Sequence, residues 1–292
     1  MTYQAKVLVE GLGFSEDLRW HEGRLWFSDM EAKSVMATDL KGNIIKIVDV
    51  QGTPSGLGWS PDGDMMVVSM ADRKLLKLIG KKLKEVANLW DFASFNCNDM
   101  VVTEQGRAYI GNFGFDFEAM APYAPGEIIT VSPDGKAEVA ADNLAFPNGI
   151  TITPDGKTLI VSETLGECIT AFDIDSGGLL TNRRIWAALK NMTPDGITID
   201  IEGAVWVSSP VSGGVFRVHE GGEISDRVMV SEQAYSCTLG GTDRKTLLIA
   251  VSPPLHQLFK IMNIPLDSDV VYDESDGKIE FCQVSVPGLG CP

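Results

Sequence analysis

One short pattern recurs six times along the 292 residues: a turn, a short apolar strand, a second turn built on Asp-Gly or a relative, then a strand ending in small polar residues. The copies begin at Phe14 (FSEDLRWHEGRLWFSD), Thr53 (TPSGLGWSPDGDMMVVS) and Asn96 (NCNDMVVTEQGRAYIGN). They continue at Phe146 (FPNGITITPDGKTLIVSE), Thr193 (TPDGITIDIEGAVWVSS) and Tyr235 (YSCTLGGTDRKTLLIAVS). Matching the third residue of each copy aligns Glu16, Ser55, Asn98, Asn148, Asp195 and Cys237, at intervals of 39, 43, 50, 47 and 42 residues. A repeat of that length suits one four-stranded blade of a β-propeller.

Alternating runs such as Thr-Leu-Ile-Val-Ser (158–162) and Ala-Val-Trp-Val-Ser (204–208) read as half-buried strands, and helical periodicity is scarce. The Asp-Gly turns supply the positive φ that tight hairpins require. Between the copies lie further strand pairs, Ser34–Asp39 with Ile44–Val50 and Gly214–Val218 with Asp226–Val230, so each blade receives about four strands. The runs Lys6–Glu10 and Lys278–Val286 are both strand-like and are expected to share the last blade, closing the ring and removing open edges. No linker or low-complexity tract interrupts the chain. The expected fold is all-β: a single six-bladed propeller domain over residues 1–292, of four-stranded antiparallel blades, with a metal site at the mouth of the central channel.

Lys plus Arg number 24 against 40 Asp plus Glu, a net charge of −16. Such a field repels phosphate backbones and anionic membranes, which argues against nucleic-acid and membrane partners and favours cations near acidic clefts. No 18-residue apolar span exists, and the start of the chain lacks a basic segment followed by an apolar one. The five cysteines, Cys97, Cys168, Cys237, Cys282 and Cys291, are odd in number and lack CxxC spacing. Reduced thiols in a cytoplasmic protein are expected, with a Cys282–Cys291 pair as the alternative.

Equivalent positions of successive blades sit at equal height around the channel, so the six aligned side chains should meet at one mouth. Glu16, Asn98, Asn148 and Asp195 carry carboxylate or carboxamide oxygens, the hard donors that suit Ca²⁺. Glu16 and Asp195 supply two negative charges, enough to neutralise a dication. Each Asn or Asp alone is an ordinary turn residue. Their coincidence at one repeat index, together with a Glu that turns do not favour, points to a ligand set. Mg²⁺, Mn²⁺, Zn²⁺ and Fe²⁺ can also occupy oxygen-rich open sites.

On these residues the sequence resembles the senescence marker protein (regucalcin), gluconolactonase and luciferin-regenerating enzyme family. The likeness runs through the spacing of all six copies, Glu16 in GFSEDLRW, Cys97–Asp99, Phe146–Gly149, Thr193–Gly196 followed by Ile199 and Asp200, and Asn182–Arg184. The resemblance implies a six-bladed propeller with one divalent ion, and lactone hydrolysis as the commonest activity. It makes Glu16, Asn148 and Asp195 direct metal ligands, with Asn98 nearby against substrate or a metal-bound water. It also gives Asp195 an acid/base role. Two departures stand out. The family's first-blade motif reads Glu-Gly-Pro, whereas Asp17 and Leu18 follow Glu16 here. Sugar-lactonase members often carry an Arg where this chain has Asn96, a substrate-facing position.

The expected reaction is hydrolysis of a lactone or related small ester by polarisation of the carbonyl and attack of an activated water. A carboxylate bound to a dication is a weak base, so Asp116, in the loop Asn112–Gly126, is an alternative base or substrate anchor. Asp99 should point away from the channel by strand alternation. Serine chemistry lacks a Gly-x-Ser-x-Gly elbow, and His21, His219 and His256 have no evident catalytic partner. Phe113, Phe115, Phe117, Met120 and Tyr123 could form an apolar lid over the mouth or pack on the blade edges; with Asn96, a lid favours a less polar substrate. The same oxygen donors also look like those of arylesterase and phosphotriesterase propellers, which usually hold a second calcium deeper in the channel. A non-catalytic calcium-binding propeller, or a scaffold recruited to another reaction, stays open.

Overall fold

The alternating runs form short antiparallel strands joined by tight turns, and the computed structural model, which describes residues 1–265 and 276–290, arranges them as six sheets. The innermost strands are Ser15–His21, Pro54–Trp59, Cys97–Val102, Pro147–Ile152, Ile197–Ile199 and Gln233–Gly240, in blades one to six. Each touches the next in chain order and the sixth touches the first, which makes the ring. Gly63 and Gly156, the glycines of two Pro-Asp-Gly turns, take φ of 84° and 69°, conformations open to glycine without strain.

The expected strand pairs form, Ser34–Thr38 with Ile44–Asp49 and Gly214–Val218 with Ile224–Met229. Lys6–Leu12 pairs with Gly277–Gln283 in the sixth blade, so the two ends of the propeller sequence close the ring as expected. One strand was not foreseen: Thr2–Gln4 adds in parallel to the outer strand Ile224–Met229, giving blade five a fifth strand.

Apolar residues pack between blades. Six buried clusters fill the six interfaces, for example Val35, Leu57 and Val67 between blades one and two, and Trp206, Cys237 and Ile249 between five and six. A seventh cluster, Phe115, Phe117, Phe146, Leu258 and Phe259, belongs to no blade interface. It joins the long blade-three loop to a short helix, His256–Ile261. Cys97, Cys168, Cys237 and Cys282 are free thiols; Cys291, and with it the Cys282–Cys291 alternative, lies outside the described residues. Among the described residues no helix is long and apolar enough to cross a membrane.

Candidate functional site

Five of the six inner strands share a local irregularity that builds the site. Pairing slips between Glu16 and Arg19, Pro54 and Leu57, Cys97 and Met100, Pro147 and Ile150, and Ala234 and Ser236. Each slip is a bulge, which re-aims side chains and breaks strict alternation. At the equivalent position of each blade, two residues after Glu16, Ser55, Asn98, Asn148 and Asp195 in blades one to five, the residue is apolar and buried: Leu18, Leu57, Met100, Ile150, Ile197 and, in blade six, Cys237. That register corrects the sequence alignment in blade six. Cys237 belongs to this packing position, and Tyr235, two residues earlier, is the equivalent of Glu16. Its hydroxyl donates to the Pro253 carbonyl at 2.9 Å and accepts the Leu255 N–H at 2.9 Å, tying down the segment that leads into the helix.

Glu16, Asn98, Asn148 and Asp195 line one cavity of about 560 Å³ and are each at most 6% exposed. The Asn148 amide is oriented without ambiguity. The Thr164 hydroxyl donates to the Pro194 carbonyl at 2.9 Å, so its oxygen can only accept from Asn148 Nδ2, at 3.2 Å. Asn148 Oδ1 and Asp195 Oδ1 are then buried without a hydrogen-bond partner, an arrangement that is costly unless a cation or ligand takes them up. Asn98 is more engaged: its Oδ1 accepts from the Ser55 hydroxyl at 3.3 Å and its Nδ2 donates to the Pro147 carbonyl at 3.4 Å. Burial, then the negative charges of Asp195 and Asp99, hold the Glu16 carboxyl well above its ordinary range. Asp195 is raised in the same way, by burial and then Asp99.

These donors fit a hard divalent ion. They are all oxygens, two carry charge, and two point buried oxygens at nothing in the protein. Among the described residues no three His, Cys, Asp or Glu side chains gather as a metal cluster; half of this set is carboxamide.

Asn96 lines the same cavity, at the foot of the blade-three strand. Asp116 does not. Its Oδ1 accepts the Ala119 N–H at 2.9 Å and its carbonyl accepts Ala121 N–H, so it caps a loop turn. Glu118, two residues on, reaches the cavity wall instead, with Glu31 and Lys33 across the rim. Asp99 lies in the bulge, does not line the cavity, and is buried close enough for its charge to act on Glu16, Asp17 and Asp195. None of the three histidines lines the cavity: His21 stacks on Trp59 at 4.0 Å, His219 meets Arg217 and His256 is exposed.

One stretch of the wall is apolar: Phe113, Phe117, Phe146, Leu165, Leu255 and Leu258. Phe113 stacks on Phe146 at 4.5 Å, and Phe117 lies 5.3 Å from the same ring. The blade-three loop thus packs on Phe146 and the helix and at the same time walls the mouth. Tyr123 stays 56% exposed, 5.7 Å from Phe115. The helix is the part of this wall that sequence reading missed, its six residues being too few to show a period.

The SMP-30/Gluconolactonase/LRE-like region matches residues 14–252. The chain belongs to that family. Within reach of this SMP-30/gluconolactonase chain, regucalcin from Gallus gallus is 26% identical over 262 residues, 84% of this chain and 87% of that protein. Gluconolactonase from Zymomonas mobilis is 24% identical over 283 residues, 82% and 78% of the two chains. The solved structure of regucalcin from Agrobacterium tumefaciens, described as a calcium-binding protein, superposes with a TM-score of 0.81 at 20% identity, covering 100% of this chain and 98% of that one. That likeness establishes the six-bladed fold.

Proposed function

We propose that the protein is a metal-dependent lactone hydrolase whose centre is formed by Glu16, Asn148 and Asp195, with Asn98 beside them. The observation that carries the reading is the pair of buried, unpartnered oxygens, Asn148 Oδ1 and Asp195 Oδ1, in a cavity whose wall also carries a cluster of aromatic and aliphatic side chains. Membership of a family that includes gluconolactonases supports the reaction class. Ca²⁺ is the ion these donors suit best, and when bound it would supply Lewis-acid polarisation of the lactone carbonyl.

The chain's own groups do the rest. Asn98, held by Ser55 and Pro147, presents its amide to the substrate. Asp195 takes a proton from the attacking water and returns one to the ring oxygen as the acyl C–O bond breaks, so that lactone and water yield the hydroxy acid. Phe113, Phe117 and Phe146 exclude bulk water from that exchange. The same wall, with the neutral Asn96 at its foot, suits a lactone bearing an apolar substituent rather than a polyhydroxylated one.

Glu16→Gln tests the reading. It keeps shape and removes one ligand charge, so activity should fall at least a hundredfold while the melting temperature in chelator stays level or rises. Equal loss of folding and activity would assign the centre a purely structural role.

A further inference from the structure

Below the candidate centre the channel is crossed by a side chain that none of the roles above uses. Arg19 leaves blade one, donates from Nη1 to the Leu18 carbonyl at 3.1 Å, and from Nη2 to the Met100 carbonyl at 2.6 Å. Met100 belongs to blade three. Blades one and three are not neighbours, so this reach spans the central channel. Nη2 also meets Asp17 Oδ1 at 2.5 Å, an ion pair between side chains 10% and 0% exposed. The other oxygen of Asp17 accepts the Leu57 N–H of blade two. Arg19 therefore ties three blades together at the axis. It also lines a second, smaller cavity of about 200 Å³ toward the opposite end, whose wall contains none of the Glu16 set. Arg19 lines that cavity and not the one that holds the Glu16 set.

The charges of this layer do not balance without a metal. Glu16, Asp17, Asp99 and Asp195 are four carboxylates, each at most 5% exposed, and Asp99 Oδ1 is buried with no hydrogen-bond partner. Arg19 is the positive charge that acts on both Asp17 and Asp99. With all four ionised and one divalent ion among the upper oxygens, a single negative charge is left over. Without the guanidinium, two would be left over, which is the charge of a second divalent ion. Buried carboxylates left uncompensated are strongly unfavourable. At the index of Asp17 the chain has glycine in three other blades, where an added Cβ would fall within 2.7 Å of a neighbouring blade at Gly56, Gly149 and Gly196. Asp17 thus occupies a position where three of the six blades leave no room for a side chain.

We propose that Arg19 is a resident cation of the channel, standing where a second divalent ion would otherwise be needed and limiting the protein to one bound ion. It is a positioning residue and touches no substrate. The proposal rests on the metal centre inferred above, and the test separates the two. Metal-stripped full-length protein is equilibrated with Ca²⁺ at a fixed free concentration, and bound calcium per chain is measured by elemental analysis. The wild type should hold one ion; none would refute the metal centre itself. Arg19→Met should hold two, and Asp17→Asn/Arg19→Met, with one carboxylate fewer, should return to one. One ion in Arg19→Met, at unchanged affinity, would overturn the proposal. Should Arg19→Met not fold, Asp17→Asn decides: the guanidinium loses its counter-ion, and affinity for the single Ca²⁺ should weaken about tenfold. Unchanged affinity there would equally overturn the assignment.

Discussion

Asn148 Nδ2 donates to Thr164 Oγ1 at 3.2 Å, and that bond decides which end of the amide faces the channel. Thr164 follows the second strand of blade four, its hydroxyl hydrogen is given to Pro194 of the next blade, and the free lone pair selects the NH₂ of Asn148. An amide that could flip would present a donor to a cation half the time. A buried threonine thus sets the polarity of a proposed ligand it does not share.

Thr164→Val keeps the shape and removes the hydroxyl. The loss of one oriented bond, worth about 1 kcal/mol, should weaken Ca²⁺ binding roughly five- to tenfold in a calorimetric titration. Unchanged affinity would show that Asn148 does not ligate.

Phe117 is 8% exposed and packs against Phe113, Phe115 and Phe146. Phe117→Ala should cost about 3 kcal/mol or more in chemical unfolding, the usual range for a buried phenylalanine. If the wall recognises the substrate, KM for an alkyl-substituted lactone should rise at least tenfold while KM for a small unsubstituted lactone changes little. Equal change in both would assign the cluster to packing alone.

The buried carboxylates set a pH dependence that a cation should abolish. Burial lifts Asp99 from 3.8 to about 6, opposed by Arg19, and holds Glu16 and Asp195 well above their ordinary values. Carboxyls raised in the folded state make folding take up protons. Their stabilisation is complete below about pH 4 and is lost as pH rises through about 6 for Asp99, and through the raised values of the other two. Metal-free protein should therefore melt several degrees lower at pH 8 than at pH 5.5, and saturating Ca²⁺ should remove most of that difference. A level profile without metal would mean that these groups do not govern stability.

The six-bladed ring was legible because its period is carried by turn glycines and by apolar residues at one index, and both are local requirements of the strands. The oxygen-bearing positions of blades one, three, four and five followed from that index. Blade six was misread by two residues because a small Cys in an apolar strand looks like a polar index residue, whereas its true counterpart is an aromatic, Tyr235. Asp99 lies in the bulge, buried, and no residue type in Cys97–Met100 announces that irregularity. Asp116 and Glu118 lie in a loop without period, where only the turn at Ala119 shows which carboxylate faces the cavity. Arg19 is invisible to pattern reading for another reason. On a strand it reads as an ordinary outward charge, and only closure of the ring brings Met100 within its reach.

The most direct test of the account is lactone hydrolysis followed by proton release on metal-stripped protein, with Ca²⁺, Mg²⁺, Mn²⁺, Zn²⁺ or Fe²⁺ restored separately. The panel runs from gluconolactone through alkyl-γ-lactones to dihydrocoumarin, with an aryl ester and an aryl phosphotriester alongside. The account predicts no turnover without metal and restored turnover with Ca²⁺, fastest on the apolar lactones. Full activity in the stripped protein, or tight Ca²⁺ binding with no lactone turned over, would contradict it.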